Sequence, residues 1–205
     1  MVFPEKKVRL KDGRTALLRS PLPSDAEAAL EYMKITAAET PFLLRSPEEV
    51  TLTVADEEKY LTRVAADPNT VSILCFVDGI LAGNCNISRK TKQKNRHRAS
   101  IGIALKQEFW NLGIGTALFE EMIAVAESWD ILQIELEVFE GNDRAIALYR
   151  KMGFEIVSHV PNAIRMRDGS FRKEFSFRFF RRVRVFFLHG KSFAPLRPVK
   201  PSTKP

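Results

Sequence analysis

Short apolar stretches separated by turn residues indicate that the first half of the chain contains two hairpins. Residues 8–10 and 15–19 flank Asp12 and Gly13, and residues 71–77 and 80–88 flank Asp78 and Gly79. Glycine after aspartate favours a tight turn between antiparallel strands, because glycine adopts a positive φ without steric strain. The pattern therefore predicts a strand, a turn and a strand at both places.

Between the hairpins the apolar period lengthens to three or four residues, which is typical of helices. Ser24 and Glu27 have the spacing of a capping box and predict a helix over residues 24–38. Residues 39–45 break this period. Pro47 after Ser46 then predicts a short helical turn, and a longer helix follows over residues 53–66.

The second half of the chain alternates strands with helices. Strands are predicted over residues 99–105 and 133–138 and around 154–158 and 171–177, and helices over 116–128 and 144–151. Residues 89–98 are mostly basic and polar, so we expect an exposed loop there, with a binding site as the less favoured alternative. The order predicts an α/β (α+β) fold with a mixed, mostly antiparallel sheet and one strand-helix-strand crossover.

The positive charge is concentrated at the C-terminus. The net charge is +7, but residues 1–160 carry 20 Lys+Arg against 23 Asp+Glu, and residues 161–205 carry 12 against 2. The strand pattern ends at residue 177, and prolines punctuate the remaining sequence. We therefore expect one domain over residues 1–177 and a basic, phenylalanine- and proline-containing extension over 178–205 that is at least partly disordered.

The apolar runs and the cysteines favour a cytoplasmic protein. The longest apolar runs stop well short of the roughly 18 residues that a membrane span needs, and no signal peptide opens the chain. Cys75 and Cys85 lie in adjacent predicted strands and are expected to be buried, unbonded thiols. The cysteines and three histidines lack the spacing of metal ligands, so no metal is predicted.

A glycine-bearing turn links the strand at 99–105 to the next helix. Gly113 and Gly115 permit a tight turn that leaves several amide N–H groups unpaired at the start of the helix. These groups and the positive end of the helix dipole favour a phosphate group. A dinucleotide fold is not favoured, because the third glycine is missing and the turn comes after an antiparallel half.

A second motif follows the strand at 133–138. Asn142 is a good helix N-cap, and Gly153 is a typical stop after the helix. The Gly113 to Gly115 turn together with residues 142–154, in this order and spacing, resembles the GNAT (GCN5-related) superfamily of acyl-CoA N-acyltransferases. The resemblance spans about residues 5–177 and implies a sheet whose splayed fourth strand, here residues 99–105, forms the acyl-CoA cleft.

The resemblance implies acetyl-CoA as the acyl donor and assigns residues to it. Backbone groups of Ile103 and Leu105 would hold the pantetheine arm, and Asn142 would contact the arm from the opposite side. The pyrophosphate would be bound by the backbone amides of the turn, namely Leu112, Gly113, Ile114, Gly115 and Thr116. Trp110 stands where many relatives have Arg or Gln, so a polar contact to phosphate is expected to be missing there.

The resemblance also implies that Tyr149 acts as the general acid at the CoA sulfur. Tyr149 is two helical turns beyond Asn142 and therefore lies on the same helix face. A hydroxyl there can donate a proton to the departing thiolate. The alternative is a core tyrosine that packs on the sheet.

The sequence does not identify the base that removes a proton from the acceptor amine. Many relatives carry glutamate on the fourth strand where this chain has Ser100, and a serine cannot accept that proton unaided. Glu39, in the loop where the family lines the acceptor pocket, is one candidate. His97 is another, and a water relay is a third.

These features predict an enzyme that moves an acetyl group from acetyl-CoA to an unidentified primary amine by direct attack in a ternary complex. The alternative is an acyl-CoA-binding regulatory module with little turnover, as Ser100 would suggest. A third hypothesis treats the basic extension as an RNA anchor. Dimers are common among the proteins that this chain resembles, so a homodimer is a candidate assembly.

Overall fold

The computed structural model describes residues 1–181 of the chain. Eight strands are present in this part: β1 (Lys6–Arg9), β2 (Thr15–Arg19), β3 (Thr70–Val77), β4 (Ile80–Arg89), β5 (Arg98–Leu105), β6 (Gln133–Phe139), β7 (Glu155–Arg165) and β8 (Phe171–Phe180). Four helices accompany them: α1 (Ala26–Glu39), α2 (Val54–Ala66), α3 (Ile114–Ser128) and α4 (Asp143–Lys151).

The strands form a single sheet in the order β1-β2-β3-β4-β5-β6-β8-β7. Every neighbouring pair is antiparallel except β5 and β6, which are parallel and are joined by the crossover through α3. The predicted fold class, a mixed and mostly antiparallel sheet flanked by helices, is confirmed.

The two parallel strands diverge after a short contact. Their pairing is limited to Arg98, Ala99 and Ser100 on β5, opposite Gln133, Ile134 and Glu135 on β6. Both strands continue beyond this point, β5 to Leu105 and β6 to Phe139. A wedge-shaped opening therefore separates the carboxyl-terminal halves of the two strands.

Helices cover both faces of the sheet. Phe119 and Met122 of α3 are fully buried against one face, together with Phe154 and Phe177. On the other face Tyr32 of α1 packs in a smaller buried cluster. Cys75 and Cys85 are free and buried, as predicted.

Several element boundaries differ from the sequence prediction. The first helix begins at Ala26, after a helical turn over Pro23–Asp25, and the predicted capping box of Ser24 does not form. The buried Asp25 instead binds the Arg19 guanidinium through two contacts of 2.7 Å. Strand β7 extends to Arg165, and β8 extends three residues past the predicted end, to Phe180.

Strand β8 continues to Phe180 because its residues 174–180 pair with every residue of β6. Phe179 and Phe180 lie opposite Ile134 and Gln133 of β6. The predicted disorder of the extension otherwise concerns residues outside the described part of the chain. Among residues 1–181, none of the helices combines the length and the apolar character that crossing a membrane requires.

Candidate functional site

A cleft of about 890 Å³ opens where β5 and β6 diverge. Its walls are the second half of β5, the turn before α3, the end of β6 and the face of α4 that points toward β5. Several predicted residues from distant parts of the sequence meet in it: Ile103, Leu105, Gly113, Gly115, Thr116, Asn142 and Tyr149.

The edge of β5 that faces the cleft carries backbone groups without strand partners among the described residues. The Lys106 amide bonds to Ala82, and the Arg98 carbonyl accepts from Lys90, so even-numbered residues of β5 direct these groups toward β4. Odd-numbered residues therefore direct theirs toward the cleft. Ile103 and Leu105 have the orientation that an extended amide chain needs to pair with them like another strand.

Trp110 modifies this edge at its far end. The indole Nε1 donates a hydrogen bond to the Leu105 carbonyl over 3.0 Å. The Ile103 amide and carbonyl and the Leu105 amide are thus the groups of this edge that stay available to a ligand. The Trp110 side chain therefore sets where strand-like pairing ends.

The turn between β5 and α3 depends on two glycines for different reasons. Gly113 has φ 95°, a left-handed conformation that strains residues with a Cβ. At Gly115 a Cβ would lie 2.9 Å from Leu148 Cδ2, so glycine lets α3 approach α4 closely. Ile114 is buried and fixes the start of the helix. The first amides of α3 consequently face the cleft as a potential phosphate site.

Two cations border this turn that the sequence did not reveal. The Arg144 guanidinium lies over the Trp110 ring, 4.1 Å from its centroid, and also donates to Asn111 Oδ1 over 2.6 Å. Lys11 lines the cleft, and its backbone amide bonds to the Leu112 carbonyl over 3.1 Å. The missing polar contact at Trp110 stays a prediction, and positive charges from the loop after β1 and from α4 lie beside the same turn.

Asn142 occupies the opposite wall as the N-cap of α4. Its side-chain oxygen accepts a hydrogen bond from the Ala145 amide over 3.3 Å. The side-chain NH₂ group is not needed for capping, because an N-cap uses only the oxygen. Asn142 can therefore both cap the helix and donate a hydrogen bond into the cleft.

Tyr149 combines a place in the cleft with a place in the core. Its ring packs against Phe119 and Phe177 at centroid distances of 5.4 and 5.6 Å, and the residue is 7% exposed. Burial raises the pKa of the Tyr149 hydroxyl, and the nearby Cys85 thiol raises this pKa further. The hydroxyl is consequently protonated at neutral pH, and the aromatic neighbours fix its direction.

An acidic residue that the sequence analysis did not single out lies on the other side of the opening. Glu137 on β6 lines the cleft and is exposed to solvent. Phe42 and Leu43, from the segment between α1 and α2, line the same region. An acidic residue on a strand is usually a solvated surface residue, so only its position in the cleft marks Glu137.

The structure gives Glu39 a different environment from the one predicted. The Glu39 carboxylate accepts a hydrogen bond from the Gln107 amide over 2.7 Å, and its backbone carbonyl accepts from the Gln107 side chain. Glu39 is not among the residues that line the cleft. It ties the end of α1 to the turn after β5, which does not favour a role as the base.

His97 is likewise remote from the opening. It precedes β5, and its carbonyl accepts from the Leu132 and Gln133 amides at the start of β6. At about 3.3 Å per residue, the four steps to Ile101 place it about 13 Å from the near end of the cleft. The geometry therefore does not favour His97 as the base either.

Ser100 contacts a carboxylate whose negative charge is already paired with three cations. Its hydroxyl lies 3.4 Å from Glu135 Oε1, and Glu135 also pairs with Lys90, Arg98 and Arg178. Burial alone would raise the Glu135 pKa, but the three cations hold it below the usual range. Glu135 thus stabilises the last pairing of β5 with β6 in its ionised form.

A comparison with known families defines the class of this protein. The model of the acetyltransferase (GNAT) family matches residues 33–154. The match includes the wedge between β5 and β6, the glycine turn and α4. The chain belongs to this family, and the resemblance predicted from the two motifs is confirmed.

Individual relatives agree with this assignment. L-amino acid N-acetyltransferase AaaT of Escherichia coli (strain K12) is 35% identical over 95 residues, which are 46% of this chain and 59% of that protein. The chain thus matches less than two thirds of the length of this relative. A GNAT acetyltransferase structure from Streptococcus pneumoniae has a TM-score of 0.75 at 28% identity and covers 80% of this chain and 99% of that one.

A structure of yncA from Salmonella typhimurium with its cofactor acetyl-CoA has a TM-score of 0.69. It covers 80% of this chain and 93% of that one, at 13% identity. This likeness shows a shared fold.

Proposed function

We propose that this protein transfers the acetyl group of acetyl-CoA to the α-amino group of a small L-amino acid with an apolar side chain. One observation carries the proposal. The cleft is lined by residues of the unpaired edge of β5, of the glycine turn at the start of α3 and of α4, including Asn142 and Tyr149.

Each part of acetyl-CoA would be bound by its own set of residues in the cleft. Backbone groups of Ile103 and Leu105 would pair with the amides of the pantetheine arm, and Asn142 would donate to it from the opposite wall. The amides of residues 112–116 would hold the pyrophosphate, with Lys11 and Arg144 supplying positive charge beside it. The thioester supplies the activated acetyl group.

Two residues of the cleft would transfer the protons of the reaction. As the amine nitrogen bonds to the acetyl carbon, the carbon–sulfur bond breaks and the sulfur takes the electron pair. Tyr149 would donate its hydroxyl proton, or a hydrogen bond, to that sulfur. Glu137 would attract the ammonium form of the acceptor and accept its proton, directly or through water.

The proposed acceptor class rests on the charge and shape of the cleft around Glu137. A carboxylate at residue 137 favours a cationic amine, and Phe42 and Leu43 provide an apolar wall for a side chain. The E. coli relative is named for L-amino acids, which supports the same acceptor class. Glu137, in place of Glu39 or His97, is the base that this geometry favours.

The test is a thiol-release assay with purified full chain, acetyl-CoA and a panel of amines. The panel contains L-amino acids, their D enantiomers, peptides with a free N-terminal amine, amino sugars and polyamines. We expect the largest kcat/KM with apolar L-amino acids. A preference for another class would overturn the acceptor assignment. CoA binding without thiol release from any amine would overturn the enzyme and support the regulatory module.

A further inference from the structure

A second cleft, of about 500 Å³, lies at the opposite end of the parallel strands. It is bordered by the connection between β4 and β5 and by the turn between α3 and β6. The proposed acetyl-transfer site lies between the carboxyl-terminal halves of β5 and β6. From Gln133 to Val138 the strand advances about 17 Å, so the two clefts are well separated.

The basic loop, which we define as residues 89–98, gives this cleft its charge. The loop contains six Lys or Arg residues and His97, without an acidic or apolar residue. Lys90 and Arg98 pair with Glu135. Arg89, Lys92, Lys94 and Arg96 have no ion-pair partner among residues 1–181. Most of the charge of the loop is thus directed to solvent.

An aromatic ring is combined with these cations inside the cleft. The Arg89 guanidinium lies over the Trp129 ring, 5.3 Å from its centroid. The Arg89 Nε also donates to Asn69 Oδ1 over 2.9 Å, which fixes the guanidinium in place. A guanidinium held against an indole ring offers a flat, positively charged surface on which a nucleobase can stack.

Another cation, Arg181, lies beside the second cleft. The Arg181 amide bonds to the Leu132 carbonyl over 3.0 Å, and its guanidinium pairs with Asp130 at 3.2 Å. Asp130 and Leu132 both line the second cleft. The sequence that follows, residues 182–205, contains six Lys or Arg and no acidic residue. The pairing with Arg181 also neutralises Asp130, which is the acidic residue of the cleft lining.

We propose that the second cleft and the basic loop bind single-stranded nucleic acid. The loop cations would neutralise phosphates, and one base would enter the cleft and stack on the Arg89 and Trp129 pair. A recessed cleft favours a single strand over a duplex, whose bases are stacked inside. A bilayer is less favoured, because the basic loop has no apolar side chain to insert. An acidic peptide would make no use of the aromatic ring.

The test measures fluorescence anisotropy of a labelled oligouridylate and a labelled oligothymidylate with the full chain, over a series of salt concentrations. We expect binding that weakens as salt rises. The double variant Lys92→Ala/Arg96→Ala should bind about tenfold more weakly. Its slope of log K against log salt should be smaller by about 1.4, because each phosphate contact on a single strand contributes about 0.7.

A matched control removes the same charge elsewhere. Lys34 and Lys59 are exposed on α1 and α2, and Lys34→Ala/Lys59→Ala should change the affinity less than about twofold. Trp129→Ala should weaken binding about tenfold, whereas Trp129→Phe should retain most of the affinity, because a phenyl ring still stacks. The comparison of uridylate with thymidylate shows whether the site distinguishes RNA from DNA.

Three results would overturn the proposal. The first is equal binding of the oligonucleotides by the Lys92→Ala/Arg96→Ala variant and the parent. The second is competition by acetyl-CoA at saturation, which would place the oligonucleotide in the first cleft. The third is tighter binding to polyglutamate or to anionic phosphatidylserine vesicles with the same dependence on the loop, which would assign the surface to a protein or a membrane.

Discussion

The indole Nε1 of Trp110 donates a hydrogen bond to the carbonyl of Leu105, 3.0 Å away, across the turn that connects β5 to α3. The bond occupies the last carbonyl of the edge that faces the cleft. The same indole carries the Arg144 guanidinium on its face. One side chain therefore limits the strand-like edge and positions a cation beside the start of α3.

Replacing Trp110 separates these two roles. Trp110→Phe loses the hydrogen bond but keeps a ring beneath Arg144, so we expect the Kd for CoA to rise about threefold, in line with one modest hydrogen bond. Trp110→Leu loses both contacts, and its Kd should rise about tenfold. Isothermal titration with CoA measures both. Equal Kd values for the two variants would show that Arg144 does not depend on the ring.

The close approach of α3 to α4 at Gly115 predicts a compensating pair of substitutions. Gly115→Ala places a Cβ 2.9 Å from Leu148 Cδ2 and should lower the free energy of unfolding by about 1–2 kcal/mol. In a Leu148→Ala background the same change should destabilise much less, because the obstructing methyl group is absent. Urea denaturation of the two single variants and the double variant measures the coupling. Additive effects would contradict the steric explanation.

Tyr149→Phe tests the proton donor. The ring and its packing remain, so we expect kcat to fall about 100-fold while the KM for acetyl-CoA changes less than about threefold. Tyr32→Phe is the control, since Tyr32 is also buried but bonds to Asn84 outside the cleft. Its kcat should be close to that of the parent. An undiminished kcat in Tyr149→Phe would remove Tyr149 from the mechanism.

Glu137→Gln tests the acceptor side. Without the carboxylate, the kcat/KM for the amine should fall about tenfold to 100-fold at neutral pH, and should recover partly at alkaline pH, where more of the amine is deprotonated. Glu140→Gln provides a control, because Glu140 is half-buried and pairs with Lys173 beyond the strand end. A pH profile of kcat/KM identical to that of the parent would return the choice to a water relay.

Glu135 should determine part of the stability at neutral pH. Because three cations lower its folded pKa, the ionised carboxylate stabilises the fold above the unfolded pKa of about 4.3, and this contribution is lost as the pH falls through the folded value. Glu135→Gln should therefore lower the free energy of unfolding by about 2 kcal/mol at pH about 7, and much less at pH about 3. Urea denaturation at the two pH values measures this, with Glu48→Gln, at an exposed pair with Arg167, as control. A difference that does not shrink in acid would contradict the ionic explanation.

The elements of the fold followed from local features of the sequence. The hairpin at Asp78 and Gly79, the helical turn at Pro47 and the N-cap at Asn142 all appear in the structure. Turn conformation and helix capping depend on residues that are close in the chain, so sequence patterns report them directly. Ser24 does not act as the cap, because the helical turn already begins at Pro23 and Asp25 binds the Arg19 guanidinium at the end of β2.

Only part of the candidate site could be predicted from the sequence. Gly113, Asn142 and Tyr149 belong to local motifs, and all three line the cleft. Their roles toward acetyl-CoA stay predictions. Glu137, Lys11 and Arg144 gave no such signal, because an exposed charged residue on a strand or helix usually faces only water. Glu39 and His97 were candidates for their positions in the sequence, but only the structure shows that neither residue lines the cleft.

The sequence by itself determined the periodic elements, their order and the acyl-CoA motifs, since each depends on a few consecutive residues. Only the tertiary structure decided where β5 leaves β6, that Trp110 limits the cleft edge, and that the basic loop, Trp129 and Arg181 meet at the other end. These relationships join residues from 5 to about 90 positions apart in the chain. They are set by how the sheet twists and how its helices pack, which no local pattern encodes.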